Sequence, residues 1–202
     1  MTSELHEPDW LLISASTAKA GDALRVQVWR KLRSLGALYL QQSVCLLPAR
    51  PAVVKDVRRL VDRIRHQGGT ARVLSMGFTV AAEEQAMIAE FNAARDTEYA
   101  EVLERLPAFL DELEKELARG NATYAEVEES EADLERFRSW LAKIAARDYF
   151  AAPGGEAARD AVAHAADALA AFERATLSVE APAEAAAAPI GKSEWPRAVE
   201  GP

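Results

Sequence analysis

Nine cations cluster in two short stretches, Arg25, Arg30, Lys31 and Arg33 in the first and Lys55, Arg58, Arg59, Arg63 and Arg65 in the second. Guanidinium groups offer planar, bidentate hydrogen bonding to phosphate oxygens, and several together release condensed counterions, which makes binding salt-dependent. The pattern points to DNA phosphates. Its plain alternatives are a solvated helix face and pairing with acidic helices of the same chain. A second candidate is Arg95 with Arg147, in the segments NAARDTEY (92–99) and ARDYF (146–150). Arginine beside an aromatic residue presents fixed donors that match a tetrahedral oxyanion such as chromate or sulfate. Interhelical salt bridges covered by aromatics account for the same residues.

Other chemistry finds little support. The sequence carries no glycine-rich phosphate loop, serine elbow or helical histidine pair, so no catalytic residue is expected. The carboxylate pairs Glu83-Glu84 and Glu128-Glu129 read as solubilising charge on helix faces. Cys45 is the single cysteine, which rules out an intramolecular disulfide and a cysteine-based zinc site. Between Val44 and Leu46 it reads as a small buried hydrophobe, with no neighbouring cation to activate it. His6, His66 and His164 show no metal-ligand spacing. Neither a metal nor a cofactor is expected.

The net charge of −8 hides an asymmetry. Residues 1–80 hold 12 Lys/Arg against 6 Asp/Glu, whereas residues 81–202 hold 12 against 26. An acidic half solubilises a basic one and screens it against indiscriminate polyanion binding. No run of about 18 uncharged apolar residues occurs, and Met1 to Asp9 is acidic where a signal peptide needs positive charge. A cytoplasmic protein without membrane contact is expected.

The elements that position the cations follow from periodicity. Trp10 to Ser16 reads as a buried strand. Leu24, Val28, Leu32 and Leu35 line one face of a helix capped by Asp22 and ended by Gly36. Residues 37–48 read as two strand pieces bent at Gln41-Gln42-Ser43. Pro51 opens a second helix with the stripe Val54, Val57, Val61 and Ile64, and Thr70 to Phe78 is another strand. The fold class is therefore α+β, a ferredoxin-like βαββαβ sandwich at 10–80 followed by an all-helical region at 82–178.

In the helical region Tyr99, Leu103, Leu106, Leu110, Leu113 and Leu117 form a heptad seam, and Pro107 within it implies a kink or a break near Leu106. Val127, Leu134, Phe137, Leu141 and Ile144 complete an antiparallel hairpin. Pro153-Gly154-Gly155 then separates a third, alanine-rich helix marked by Val162, Ala165, Leu169, Phe172 and Thr176. The seam is a candidate homodimer surface. Residues 180–202 have too few apolar residues to bury and are expected to be disordered.

The blocks WLLISAS, VWRKLRSLGALYLQQSVCLLP, FNAARDTEYAEV and ARDYF, in that order, resemble the N-terminal domain of the ChrB chromate resistance family over roughly residues 10–153. The resemblance implies a transcriptional regulator of a chromate efflux operon, with DNA as partner and chromate as effector. Full members of that family continue into a second, C-terminal domain, where this sequence has an alanine-rich helix and tail. More faintly, the first 80 residues are similar to small ferredoxin-like CRISPR adaptation nucleases and to the sheet domain of phenylacetate-operon repressors. The nuclease relatives place a metal-binding aspartate where this chain has Ser14, Ala15 and Ser16, which argues against phosphodiester hydrolysis.

Overall fold

The computed structural model describes residues 10–18, 20–120 and 123–185. Four strands, β1 (Trp10–Ser16), β2 (Leu38–Gln41), β3 (Val44–Pro48) and β4 (Thr70–Met76), form one sheet in the order β2-β3-β1-β4. Every pairing is antiparallel, with Ile13 opposite Cys45 on one side and Val73 on the other. Two helices are inserted, α1 (Gly21–Ser34) after β1 and α2 (Pro51–His66) after β3. This is the α+β order and connectivity that the sequence predicts. The bend expected at residues 41–43 is a register shift in the β2–β3 pairing between Tyr39 and Gln41.

Alternation along the strands divides the sheet into two faces. Leu11, Ile13, Cys45, Leu47 and Ala71 pack against Leu24, Val28 and Leu32 of α1 and Val53, Val57, Leu60, Val61 and Ile64 of α2. Val54, expected in the buried stripe, is only half-buried, because the face is centred on Val53, Val57, Leu60 and Ile64. Asp22 is not a cap either. It lies inside the first turn of α1, whose N-cap residue is Ala20 and makes no side-chain cap bond.

The opposite face is covered by the start of the helical region. Helix α3 (Ala81–Arg119) lays Met87, Ile88 and Phe91 over Trp10 and Leu46. Trp10 is 1% exposed, stacks on Phe150 at 5.4 Å and donates its indole N–H to Glu84 Oε1 at 2.7 Å. Phe78, just past the end of β4, meets the Trp10 ring edge-on at 5.5 Å.

Helix α3 runs 39 residues with Pro107 inside it, so of the kink or break expected near Leu106 the break does not occur. Its buried stripe also differs from the expected seam. Tyr99, Val102, Leu106, Phe109 and Leu113 are buried, Leu103 and Leu110 flank them half-buried, and Leu117 is 41% exposed. Both readings have heptad spacing; the true one is rotated to bring in Val102 and Phe109. Gly120, with φ of 69°, ends α3. Thr123 caps α4 (Tyr124–Ala145) by accepting from the Glu126 amide at 3.4 Å.

Helix α5 (Gly154–Ala185) closes the bundle, packing Ala158, Val162, Ala165, Leu169 and Phe172 into the core shared with α3 and α4. It continues beyond the expected boundary near residue 180, and the remaining tail, 186–202, lies outside the described residues. Among the described residues, no helix is long and apolar enough to cross a membrane.

Candidate nucleic-acid interface

Because the apolar stripes of α1 and α2 face the sheet, their remaining positions carry the cations outward. Arg25, Arg30, Arg33, Lys55, Arg58, Arg59, Arg63 and Arg65 are all exposed. Lys31 is the exception. It is half-buried between the two helices and donates to Asp56 Oδ2 of α2 at 2.7 Å. That hydrogen bond, reinforced by the Lys31 charge, holds the Asp56 carboxyl below its usual range.

Several of the exposed cations are engaged locally. Arg25 pairs with Asp22, Arg59 lies 4.0 Å from Asp56, and Arg65 donates to the Ala71 carbonyl at 3.1 Å. Arg33 places its guanidinium carbon 5.2 Å from the centroid of the Trp29 ring, a cation–π contact. Arg30, Arg58 and Arg63 have no ion pair or side-chain hydrogen bond among the described residues. Surface pairs of the Arg25 and Arg59 kind are worth about 0–1 kcal/mol and yield readily to a phosphate. The face thus offers up to eight cations.

The other predicted pair does come together, although 52 positions separate Arg95 from Arg147 in the chain. Arg95 Nε lies 3.3 Å and Arg147 Nη2 3.2 Å from the same Glu98 oxygen, Oε2. Arg95 is 8% exposed, and burial lowers the pKa of its guanidinium, with Glu98 opposing the shift and Arg147 adding to it. Neither contact has the alignment of a hydrogen bond. Arg95 Nε and Nη1, Arg147 Nε and Glu98 Oε2 are buried without a well-directed partner.

This cluster sits at the C-terminal end of α1. Arg147 Nη1 reaches the Arg33 carbonyl at 3.4 Å, and the Tyr149 hydroxyl donates to the Leu35 carbonyl at 2.7 Å. Cations are favoured there by the helix dipole and the unsatisfied last carbonyls. Gly36 makes the approach possible. Its φ is 71°, and a Cβ there would lie 2.9 Å from Arg95 Nη1 and 3.0 Å from Arg147 Cβ. Glu98 occupies, as an internal carboxylate, the place between the guanidinium groups that an oxyanion would take.

A family model described as "Protein ChrB, N-terminal" matches residues 25–181. The chain belongs to the ChrB N-terminal family. The match runs from α1 into α5, so the alanine-rich helix that the sequence reading set apart is within the ChrB N-terminal unit, as are both basic helices and the Arg95–Arg147 cluster. Protein ChrB of Cupriavidus metallidurans is 32% identical over 97 residues, which are 47% of this chain and 29% of that relative. The aligned part is less than a third of the relative's length. No solved structure matches the chain.

One residue of this face escaped the sequence reading. Trp29 is 47% exposed and stands four positions from Arg25 and four from Arg33, on one side of α1. The spacing was visible, but a tryptophan in a helix is usually core.

Proposed function

We propose that this ChrB N-terminal chain is a non-catalytic, cytoplasmic regulator that binds DNA of a chromate-resistance operon through the outward faces of α1 and α2. The observation that carries the reading is the exposure of Arg30, Arg58 and Arg63, without partners among the described residues, on two helices that share one face of the sheet. Phosphates would be held by these three and by Arg25, Arg33, Lys55, Arg59 and Arg65, while Lys31 ties the two helices together. Such contacts position a protein on the duplex without reading its sequence. Chromate is the effector that the family resemblance suggests, and homodimerisation through the helical region would double the basic face.

The test is a mobility shift of the protein with a duplex from its own upstream region. A shift that weakens steeply with salt supports the proposal. Failure to shift that duplex or an unrelated one at low salt removes DNA binding, and the arginines are then a solvated face.

A further inference from the structure

A cleft of about 580 Å³ opens between α1 and the edge of the sheet, where α1 leaves β2 uncovered. Its volume falls within the range of small-ligand sites. Trp29 of α1 and Tyr39 of β2 line it, 47% and 38% exposed, and Cys45 lies on its floor. Gln42, Ser43 and Ser16 supply an amide and two hydroxyls at its rim. Among the described residues of its lining, the one cation is Arg25, which is matched by Asp22.

We propose that this cleft binds a nucleobase, stacked against Trp29 and Tyr39 and hydrogen-bonded at its edge by Gln42 and the rim hydroxyls. Large aromatic surfaces are costly to leave in water, and every base has a π-face to cover them. A purely apolar ligand would leave the amide and hydroxyls at the rim without partners on desolvation, whereas the edge of a base offers both donors and acceptors. The charges of Asp22 and Arg25 cancel within the described lining, which suits an uncharged ring. Phosphate attached to the base would fall to the arginines outside, with Arg33 already over the Trp29 ring. The Tyr39 phenol is pushed up to about 12 by burial, with a smaller contribution from Cys45, so the ring under the base carries no charge at physiological pH.

The base has two sources, a free nucleoside or nucleotide and an unstacked base of a single strand. The site adjoins the duplex interface proposed above and shares Arg25 and Arg33 with it, but its contacts to the base stand without that interface. The full chain is titrated with adenosine, AMP, a ten-residue oligo-dT and a duplex of mixed sequence, following tryptophan fluorescence. Quenching by adenosine and AMP identifies a free ligand; quenching by the oligonucleotide alone identifies a single strand.

With binding read by calorimetry, because these variants lack the reporting ring, Trp29→Ala is expected to bind about tenfold or more weakly, and Trp29→Phe to restore most of the affinity. Tyr39→Phe should bind nearly as wild type, and Tyr39→Ala should not. Circular dichroism of each variant establishes that it is folded. Absence of quenching by adenosine, AMP and the oligonucleotide alike at millimolar concentration overturns the proposal, as does a folded Trp29→Ala variant that binds like wild type. Duplex shifts that survive in Trp29→Ala separate this site from the basic face.

Discussion

Arg147 approaches Glu98 Oε2 at 3.2 Å and so joins the end of α4 to the middle of α3. Arg95 lies 3.3 Å from the same oxygen, leaving two guanidinium groups on one carboxylate with side-chain exposures of 10% and 16%. Glu98→Gln would leave those like charges facing each other in a largely dry site. Removing one partner of a buried ion pair is strongly destabilising, and about 3 kcal/mol is expected. Arg95→Met removes a desolvated charge as well as a contact, so it should cost clearly less. Urea midpoints with unchanged m-values check the order; equal losses would mean that Glu98 is not the shared counter-ion.

A related expectation concerns Gly36. Alanine there meets both a left-handed φ of 71° and a Cβ 2.9 Å from Arg95 Nη1. The strain alone costs about 1–3 kcal/mol. In the Arg95→Met background the close contact is relieved and the backbone strain is not. Gly36→Ala should therefore cost less there than in wild type, and a double-mutant cycle measures the difference.

The rotated stripe of α3 makes its own prediction. Phe109→Ala and Val102→Ala open cavities in the bundle core and should cost about 3–5 and about 1–3 kcal/mol, respectively. Leu117→Ala, at a 41% exposed position, should stay within about 0.5 kcal/mol. A Leu110→Glu, Leu113→Glu variant would unfold the chain rather than report on association, because Leu113 is buried in its own core. Leu117→Glu is the sound probe. Light scattering that shows a wild-type dimer and a monomeric Leu117→Glu would place the homodimer contact at that end of the bundle.

Much of the sheet region was legible because short elements with clear punctuation leave few alternatives: Gly36, Pro51 and Gly68-Gly69 mark its helix ends. The long helix was harder. Leu103, Leu110 and Leu117 share heptad spacing with Val102 and Phe109, and periodicity cannot choose between stripes offset by one residue. Only packing against α4 and α5 decides it. Pro107 does not break the helix for a related reason: the missing N–H removes a single backbone bond, which tertiary contacts on both sides of it outweigh. The Arg95–Arg147 pairing was suggested by composition, but its arrangement around Glu98 depends on a contact that sequence does not encode locally. The Trp29–Tyr39 cleft joins a helix to an edge strand, and no motif announced it.

Cys45 should behave as an inert thiol. It is 1% exposed, and burial pushes its pKa up to about 12. A raised folded pKa means that the unfolded thiol ionises first, so the protein loses stability as pH rises above about 8.5, the ordinary thiol value. At pH 8, roughly one thiol in ten thousand would be ionised in the folded chain. Labelling by a disulfide reagent should therefore be slow in buffer and complete within mixing time in denaturant. Fast labelling of the native protein would show that the cleft floor admits reagent.

The last prediction uses the bond between Lys31 and Asp56, which couples the two basic helices to each other and removes one cation from the face. Asp56 is held below the ordinary carboxylate pKa, with the Lys31 hydrogen bond as the largest cause. A depressed folded pKa contributes stability that is present above the unfolded value, near 3.9, and is lost as pH falls through the folded value. Asp56→Asn should flatten the acid limb of the stability profile below about pH 4 and leave its shape near neutrality unchanged. The same substitution frees Lys31 and relieves Arg59 of its neighbour at 4.0 Å. If the outward faces of α1 and α2 hold DNA phosphates, affinity should rise, and the slope of log K against log salt should steepen by up to about 0.9 for each phosphate gained. Arg58→Ala with Arg59→Ala should move the slope in the opposite direction. Both helices leave the proposed interface if neither variant changes the slope while the acid limb responds as expected, because that response shows that the Lys31–Asp56 bond was present and was broken.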